Sequence, residues 1–539
     1  MVELYQYAVS FVGGTASHVF YFHRGEHHMY GVRYIQAFLA LAIASTVYLH
    51  KAQGQALRDA TTTVTTLSGT FLAGLYTSLL IYRAFLSPLC KFPGPIGARL
   101  TSLWLSCHIG TSSHALFKIE ELHKKYGPLV RIGSNDLAIA DADFVQPIYG
   151  MGTKCTKAAW YDNEIPLNSM HTTRSKAVHD KRRRIWSPAF SEKALRGYEK
   201  RLEPFADSLL ERLEGFGGEP VDVARWFNYF GYDVMGDLAF GKDFGMLSSG
   251  EEHFAVNLLN EGLQPLAMLF PTWFFRTLVA IPGLAAGYWK LIAYCSKQID
   301  DRMNTKPEIP DITTPLLAPY RDKKPTGPDL KSLQADTRLL IVAGSDTTSA
   351  TLVYMFYYLA KNPSIASKAR DELKPFCSDD GSFNHREAIR NDYVNGIINE
   401  ALRLHPPVPS GLQRLTPREG LKVGETFIPG DATVWCPQYT LGRSQSAYVD
   451  PEQFIPERWS TQPELIKNKN AFFPFSLGSM GCIGKPLALI ELRCVLAKLL
   501  MAFDVALAPG EDGTELIQKG RDHFTMETGP LNLVFKARS

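Results

Sequence analysis

The segment Phe475-Ser-Leu-Gly478-Ser-Met480-Gly481-Cys482-Ile-Gly484-Lys485-Pro486 holds a single cysteine among three glycines. Glycine lets a backbone turn tightly and approach a flat ligand with no Cβ in the way. The apolar run that begins at Pro486 reads as a helix with proline in its first turn. Cys482 then stands just before a helix N-terminus, where free N–H groups and the helix dipole favour thiolate over thiol. Such a thiolate is a competent axial ligand for an iron centre such as haem. The bland alternative is a buried structural thiol in a Gly-rich loop.

A second string, Ala343-Gly344-Ser345-Asp346-Thr347-Thr348, interrupts a run of helical character over roughly 332–361. Glycine, an acid and β-branched hydroxyls are a poor choice for a helix interior, unless the helix is distorted for function. A hydroxyl supported by a carboxylate can relay protons, while a simple bend with back-bonded hydroxyls accounts for the string equally well. In a third string, Glu400 and Arg403 lie three apart on one helix face and can pair. His179 and Arg183 lie four apart within a basic run, Lys181 to Arg184, that alone reads as a solvated face.

In this order and spacing the strings resemble the cytochrome P450 superfamily, whose cysteine loop reads Phe-x-x-Gly-x-Arg-x-Cys-x-Gly. Phe475, Gly478, Cys482 and Gly484 match, and Met480 stands where the family has arginine. The resemblance implies haem b with Cys482 as its axial thiolate and metal ligand, and a cofactor site that includes Phe475, Gly478, Gly484, Arg414, His179 and Arg183. Histidine at 179 replaces the family's tryptophan. It further implies a proton relay by Thr347 with Asp346, and a structural ionic triad of Glu400, Arg403 and Arg458. Ala343, Gly344, Val408, Ser410 and Gly411 are expected to line the substrate pocket. The implied activity is a haem-thiolate monooxygenase that inserts one atom of O2 into a lipophilic small molecule, by hydroxylation or epoxidation. The Gly478–Leu492 string is similar to fungal secondary-metabolite hydroxylases. The chain carries no Gly-rich dinucleotide or flavin fingerprint, so the implied partner is an NADPH-dependent flavoprotein reductase. Two competitors are a haem-thiolate isomerase or dehydratase that needs no external electrons, and a non-enzymatic membrane scaffold.

The elements that must position these residues follow from an asymmetry in charge. Residues 1–90 carry 8 charged side chains, whereas the other 449 of the 539 carry 103. Three stretches in that first part lack Asp, Glu, Lys and Arg: Leu4–His23, Tyr34–His50 and Ala60–Tyr82. Each is roughly long enough to cross a bilayer core of about 30 Å, though the first could instead lie in the interface. We therefore expect a membrane anchor over 1–90 with two or three hydrophobic segments, and a catalytic domain over 91–539. Arg83, Lys91 and Arg99 after the last stretch keep that domain on the cytoplasmic side, and the resemblance implies the endoplasmic reticulum membrane. Phe92-Pro93-Gly94-Pro95 cannot continue a helix and reads as a stiff hinge. The body is expected to be mainly α, one large domain with small β-sheets; strand-like alternation is confined to pieces such as Leu421–Val434 and Leu531–Val534. Pro265–Leu284, apolar but for Arg276, is either a helix pair or a surface that dips into the bilayer. The net charge of +3 supplies no field for nucleic acid. The eight cysteines are too sparse for a disulfide framework.

Overall fold

The computed structural model describes residues 4–110, 114–305, 309–320, 322, 324–378 and 382–538. Three apolar helices come first: α1 (Leu4–Ser17), α2 (Gly31–Lys51) and α3 (Leu57–Ile81). Wider π-helical turns, His18–Phe22 and Tyr82–Leu86, extend α1 and α3. α2 and the Leu57–Leu86 stretch are long and apolar enough to cross a membrane, and almost nothing in either is buried. A core helix would bury one face, so the outward apolar surface favours a membrane anchor.

α1 packs along α3. Ser10 Oγ donates to the Leu67 carbonyl (2.7 Å), Thr15 Oγ1 to that of Gly74 (3.3 Å), and the His18 ring meets Ser78 Oγ (2.9 Å). Both positions increase together, so the two helices run in the same direction. They approach very closely: a Cβ on Gly14 would lie 1.9 Å from the Phe71 carbonyl oxygen, and one on Gly74 2.1 Å from that of Phe11. Small residues allow such contact between membrane helices.

The Phe92–Pro95 segment, expected as a hinge, is docked instead. Phe92 is buried, and the Arg131 amide donates to the Pro93 carbonyl at 2.7 Å. Beyond it the chain is mainly helical, as its spacing predicts. The helix Gly327–Lys361 is also long enough to span a membrane, yet two thirds of its apolar stretch is buried. It is the central helix of the core, packed by Val223–Phe240, Ala286–Met303 and Asp392–Leu404. The strand-like pieces form the hairpin Leu421–Val423/Thr426–Ile428, the strand Thr433–Trp435 and part of the strand Asn532–Ala537. A five-stranded sheet runs in the order Leu129–Arg131, Asp136–Ile139, Thr433–Trp435, Arg414–Leu415, Thr156–Lys157. Its last pair is antiparallel and sets Lys157 directly across from Arg414.

The apolar stretch Pro265–Leu284 contributes to two helices, Phe254–Ala267 and Thr272–Val279. Phe275 is buried in the core, whereas Trp273, Ile281 and Leu284 are exposed. Gly31, at the start of α2, lies against Trp273 and Thr277. The stretch thus meets both the core and the anchor.

Glu400, Arg403 and Arg458 come together with their side chains fully buried. Arg403 donates to both Glu400 oxygens at 2.7 Å, and Arg458 Nε lies 3.2 Å from Oε1. Trp459 Nε1 and the Ile455 amide also donate to the carboxylate, at 2.8 and 2.9 Å. Two cations on one anion leave an excess positive charge, which carbonyls absorb: Arg403 reaches those of Gly442 and Pro451, and Arg458 that of Val449. Removing one partner of a buried pair strands the other charge and costs about 3–5 kcal/mol. Glu400→Gln should therefore lower unfolding stability by that order, read as a shift of the thermal or denaturant midpoint.

Candidate active site

The cysteine loop closes through the Cys482 amide, which donates to the Phe475 carbonyl at 2.7 Å. Gly478 takes a left-handed φ of 64°, and a Cβ there would lie 2.8 Å from the carbonyl oxygens of Tyr149 and Gly150. Glycine is required at this position by backbone packing, and Gly478 does not reach the cavity in front of the loop. Phe475, Met480, Cys482 and Gly484 do. Helix Lys485–Ala502 starts three residues after the cysteine. The helix start alone predicts a lowered thiol pKa, but burial dominates and pushes the Cys482 thiol up. The amides of Gly484 and Lys485 and the charges of Arg183 and Lys485 oppose it. A coordinated metal would override that burial cost, because a ligating thiol is deprotonated outright.

The cavity measures about 310 Å³ and has largely apolar walls. The central helix contributes Ala343, Gly344, Thr347, Thr348 and Thr351. Thr347 Oγ1 donates to the Ala343 carbonyl at 2.8 Å, the back-bonded arrangement. Asp346 was expected beside it but does not line this cavity. The cavity takes the side of the helix that carries residues 343/344, 347/348 and 351, and the step of about 100° between successive residues turns Asp346 away from it. Asp346 faces a second cavity of about 330 Å³, accepting a hydrogen bond from Tyr232 (2.7 Å) and one from Thr525 (3.4 Å). Burial raises its pKa to about 6. His523 and Thr525 border both cavities.

Two other expectations also require correction. Val408 lines the cavity, but Ser410 and Gly411 do not. Ser410 is buried with its hydroxyl on Asp522, and Gly411, at φ 94°, is pressed against the Cys436 carbonyl. The turn after Pro409 carries them behind the wall.

At one edge of the cavity the cations gather. His179 and Arg183 come from helix Lys176–Trp186, Arg414 and Lys157 from paired strands. Arg183 donates to the Gly481 carbonyl (2.6 Å), Arg414 to the Tyr161 hydroxyl (3.0 Å), and Lys157 to the carbonyls of Met170 (3.2 Å) and His171 (2.5 Å). Among the described residues none of these three cations has a carboxylate partner. Like charges directly opposite on a sheet repel, and burial with Arg414 nearby lowers the Lys157 pKa to about 7. The buried Nε2 of His171 also finds no partner among the described residues. Of the basic run, Arg182 bonds Asp336, as does Trp186 beyond it, while Lys181 and Arg184 stay exposed. An apolar slot with a thiol on one wall and unneutralised cations at its rim fits a flat apolar group bearing carboxylates and a metal.

The sequence model of cytochrome P450 matches residues 93–535. The chain belongs to the cytochrome P450 family. It is 42% identical to the cytochrome P450 monooxygenase notG' of Aspergillus versicolor, over 98% of this chain and 97% of that one. It is 41% identical to a tryprostatin B 6-hydroxylase of Aspergillus fumigatus, covering 97% and 95%, and 40% identical to the monooxygenase lcsK of Purpureocillium lilacinum, covering 98% of each. The crystal structure of the cytochrome P450DA heme domain superposes with a TM-score of 0.66 at 20% identity, over 79% of this chain and 93% of that one, which speaks to the fold. As a cytochrome P450, this chain is a haem-thiolate monooxygenase that uses O2 and a lipophilic substrate. The isomerase and scaffold alternatives give way to that assignment.

Several polar residues of this P450 cavity escaped the sequence reading, among them Glu164, His171, Arg338, Lys157 and Glu491. Lys157 sits in a two-residue strand with no local signal. Glu491 gave one, as a lone acid in the apolar run after Cys482. It is buried, hydrogen-bonded with Thr348, and held protonated at neutral pH by burial, which raises its pKa to about 8. Lys157→Met removes a charged donor from the rim, so the stabilisation gained on haem loading should shrink by about 2 kcal/mol. Melting the haem-free and haem-loaded forms of both proteins checks this difference.

Proposed function

We propose that the cavity holds haem b with Cys482 as the iron ligand, and that the chain hydroxylates or epoxidises a lipophilic secondary metabolite. The observation that carries this reading is the cavity-facing thiol combined with three rim cations that lack carboxylate partners among the described residues. When bound, the haem supplies the activation of dioxygen. Arg183, Arg414 and Lys157, aided by His179, neutralise its propionates; Lys157 stands in for the arginine that Met480 replaces. Phe475 and Gly484 shape the wall beside the sulfur. The apolar walls exclude water and favour an apolar substrate. The relatives named as fungal monooxygenases, one of them a tryprostatin B 6-hydroxylase, support a secondary-metabolite substrate and hydroxylation.

Thr347 holds a hydroxyl proton at the cavity wall, and rotation about its side chain turns that proton from the Ala343 carbonyl towards a bound acceptor. Asp346 belongs behind it, as a proton store reached from the second cavity. Electrons come from an NADPH-dependent flavoprotein reductase. The exposed Lys181, Arg184 and Lys485 give it a basic docking face, effective mainly in speeding encounter. We place the anchor over 1–90 in the endoplasmic reticulum membrane by the family resemblance, and the catalytic domain, 91–539, in the cytoplasm on the strength of Arg83, Lys91 and Arg99 after the last span.

The reduced, carbon monoxide-bound protein should show the red-shifted Soret band of thiolate-ligated haem, and Cys482→Ala should abolish it; a normal band in the variant would refute the ligand assignment. Thr347→Ala should release peroxide and lower product formed per NADPH by about tenfold or more, given the usual scale of positioned proton transfer. Unchanged coupling would remove Thr347 from the relay.

A further inference from the structure

The turn that joins α1 to α2 is bonded to the wall of the substrate cavity. Glu26 receives two parallel hydrogen bonds from the Arg174 guanidinium, both 2.8 Å. The same guanidinium donates to Asp162 at 2.6 Å, and the His28 ring lies 2.8 Å from the same carboxylate oxygen. Arg174 also holds the Lys157 carbonyl at 2.9 Å through Nε. From a third direction Arg276 of helix Thr272–Val279, which packs against α2, donates to the carbonyls of Asp162 (3.1 Å) and Ile165 (3.0 Å). The His28 and Asp162 side chains are each 12% exposed, so their contact is shielded from water, whereas Glu26 is exposed at the outer end of the clasp. Burial alone would raise the Asp162 carboxyl, but hydrogen bonds from His28 and Arg174 bring it below its ordinary value.

What this clasp holds is part of the cavity. Asp162 ends the short turn Ala159–Asp162, whose Trp160 and Tyr161 line the cavity, and Glu164 two residues on does the same. Trp160 stacks on Phe524, another lining residue, with ring centroids 5.0 Å apart. The parallel course of α1 and α3 explains how an anchor turn reaches this place. α3 leads into the body, so both helices end on the body's side and the turn after α1 emerges beside it. Glu26, His28 and Asp162 lie close enough together to share a cation. Arg174 already supplies that charge to both carboxylates, and ion pairing is the better description.

We propose that Glu26 and His28 are positioning residues for the substrate cavity: through Arg174 and Asp162 they fix the Trp160–Glu164 wall, so that an apolar ligand is selected partly by the anchor turn. The proposal rests on reading the cavity as the haem and substrate pocket. Removing both residues leaves Arg174 and Asp162 paired with each other, which loosens the wall without stranding a buried charge.

The test uses the full-length, membrane-bound, haem-loaded protein and two probes that ligate haem iron and shift its absorbance. Imidazole reports the iron site alone, and n-octylimidazole also fills the apolar cavity. In Glu26→Gln/His28→Ala the carbon monoxide spectrum and imidazole affinity should match wild type. The n-octylimidazole affinity should fall about three- to tenfold, as expected for partly shielded charge-assisted bonds. Its wild-type weakening by salt should disappear in the variant. Glu26→Asp with His28 intact should retain most of the affinity. Unchanged n-octylimidazole binding in the double variant overturns the proposal, and so does an equal loss for both probes, which would place the effect on the haem site as a whole. A wild-type protein with no thiolate-haem spectrum would instead defeat the reading of the cavity itself.

Discussion

Lys157 and Arg414 face each other across an antiparallel strand pair at the edge of an apolar cavity, with Arg183 nearby and, among the described residues, no carboxylate to answer any of them. Much of the architecture exists to hold this unfavourable arrangement. The sheet sets two of the cations in register, and helix Lys176–Trp186 brings the third while tying itself to the cysteine loop through the Gly481 carbonyl. A protein that keeps three positive groups together without a counter-ion is incomplete on its own. A dianionic ligand bound there would convert the repulsion into binding energy, and on the proposed reading the folded body and its haem would form one thermodynamic unit.

The buried triad is the opposite case, a charge arrangement completed internally. Glu400 is saturated by two arginines, an indole and an amide, and the surplus charge is spread over main-chain carbonyls. It ties helix Asp392–Leu404 to the Pro456–Trp459 turn without touching the cavity. The two sites show the same residue types put to different ends, separated only by whether the counter-charge is part of the chain.

The helical class, the apolar N-terminal helices, the triad and the cavity-facing positions of Cys482, Thr347 and Val408 were legible in the sequence, because each rests on a local string or a regular period. Side-chain direction was not. Asp346 follows Ser345 and precedes Thr347, yet one step along a helix turns it into a different cavity. Ser410 and Gly411 were lost for a related reason: a proline-rich turn changes which side of the chain faces inward. Lys157 could not be found, since its meaning comes from a strand partner more than 250 residues away. The docked Phe92–Pro95 segment shows the same limit, because proline reports where a helix must stop and says nothing of what the chain then meets.

The close backbone contacts of Gly14 with Phe71 and of Gly74 with Phe11 have a consequence for how this chain can vary. Two backbones that close leave no room for any side chain, so neither glycine can be exchanged without separating α1 from α3. The membrane portion is therefore no interchangeable tether. It is a folded piece with its own fixed geometry, and a foreign leader sequence grafted in its place would deliver the enzyme to the bilayer with part of its architecture missing.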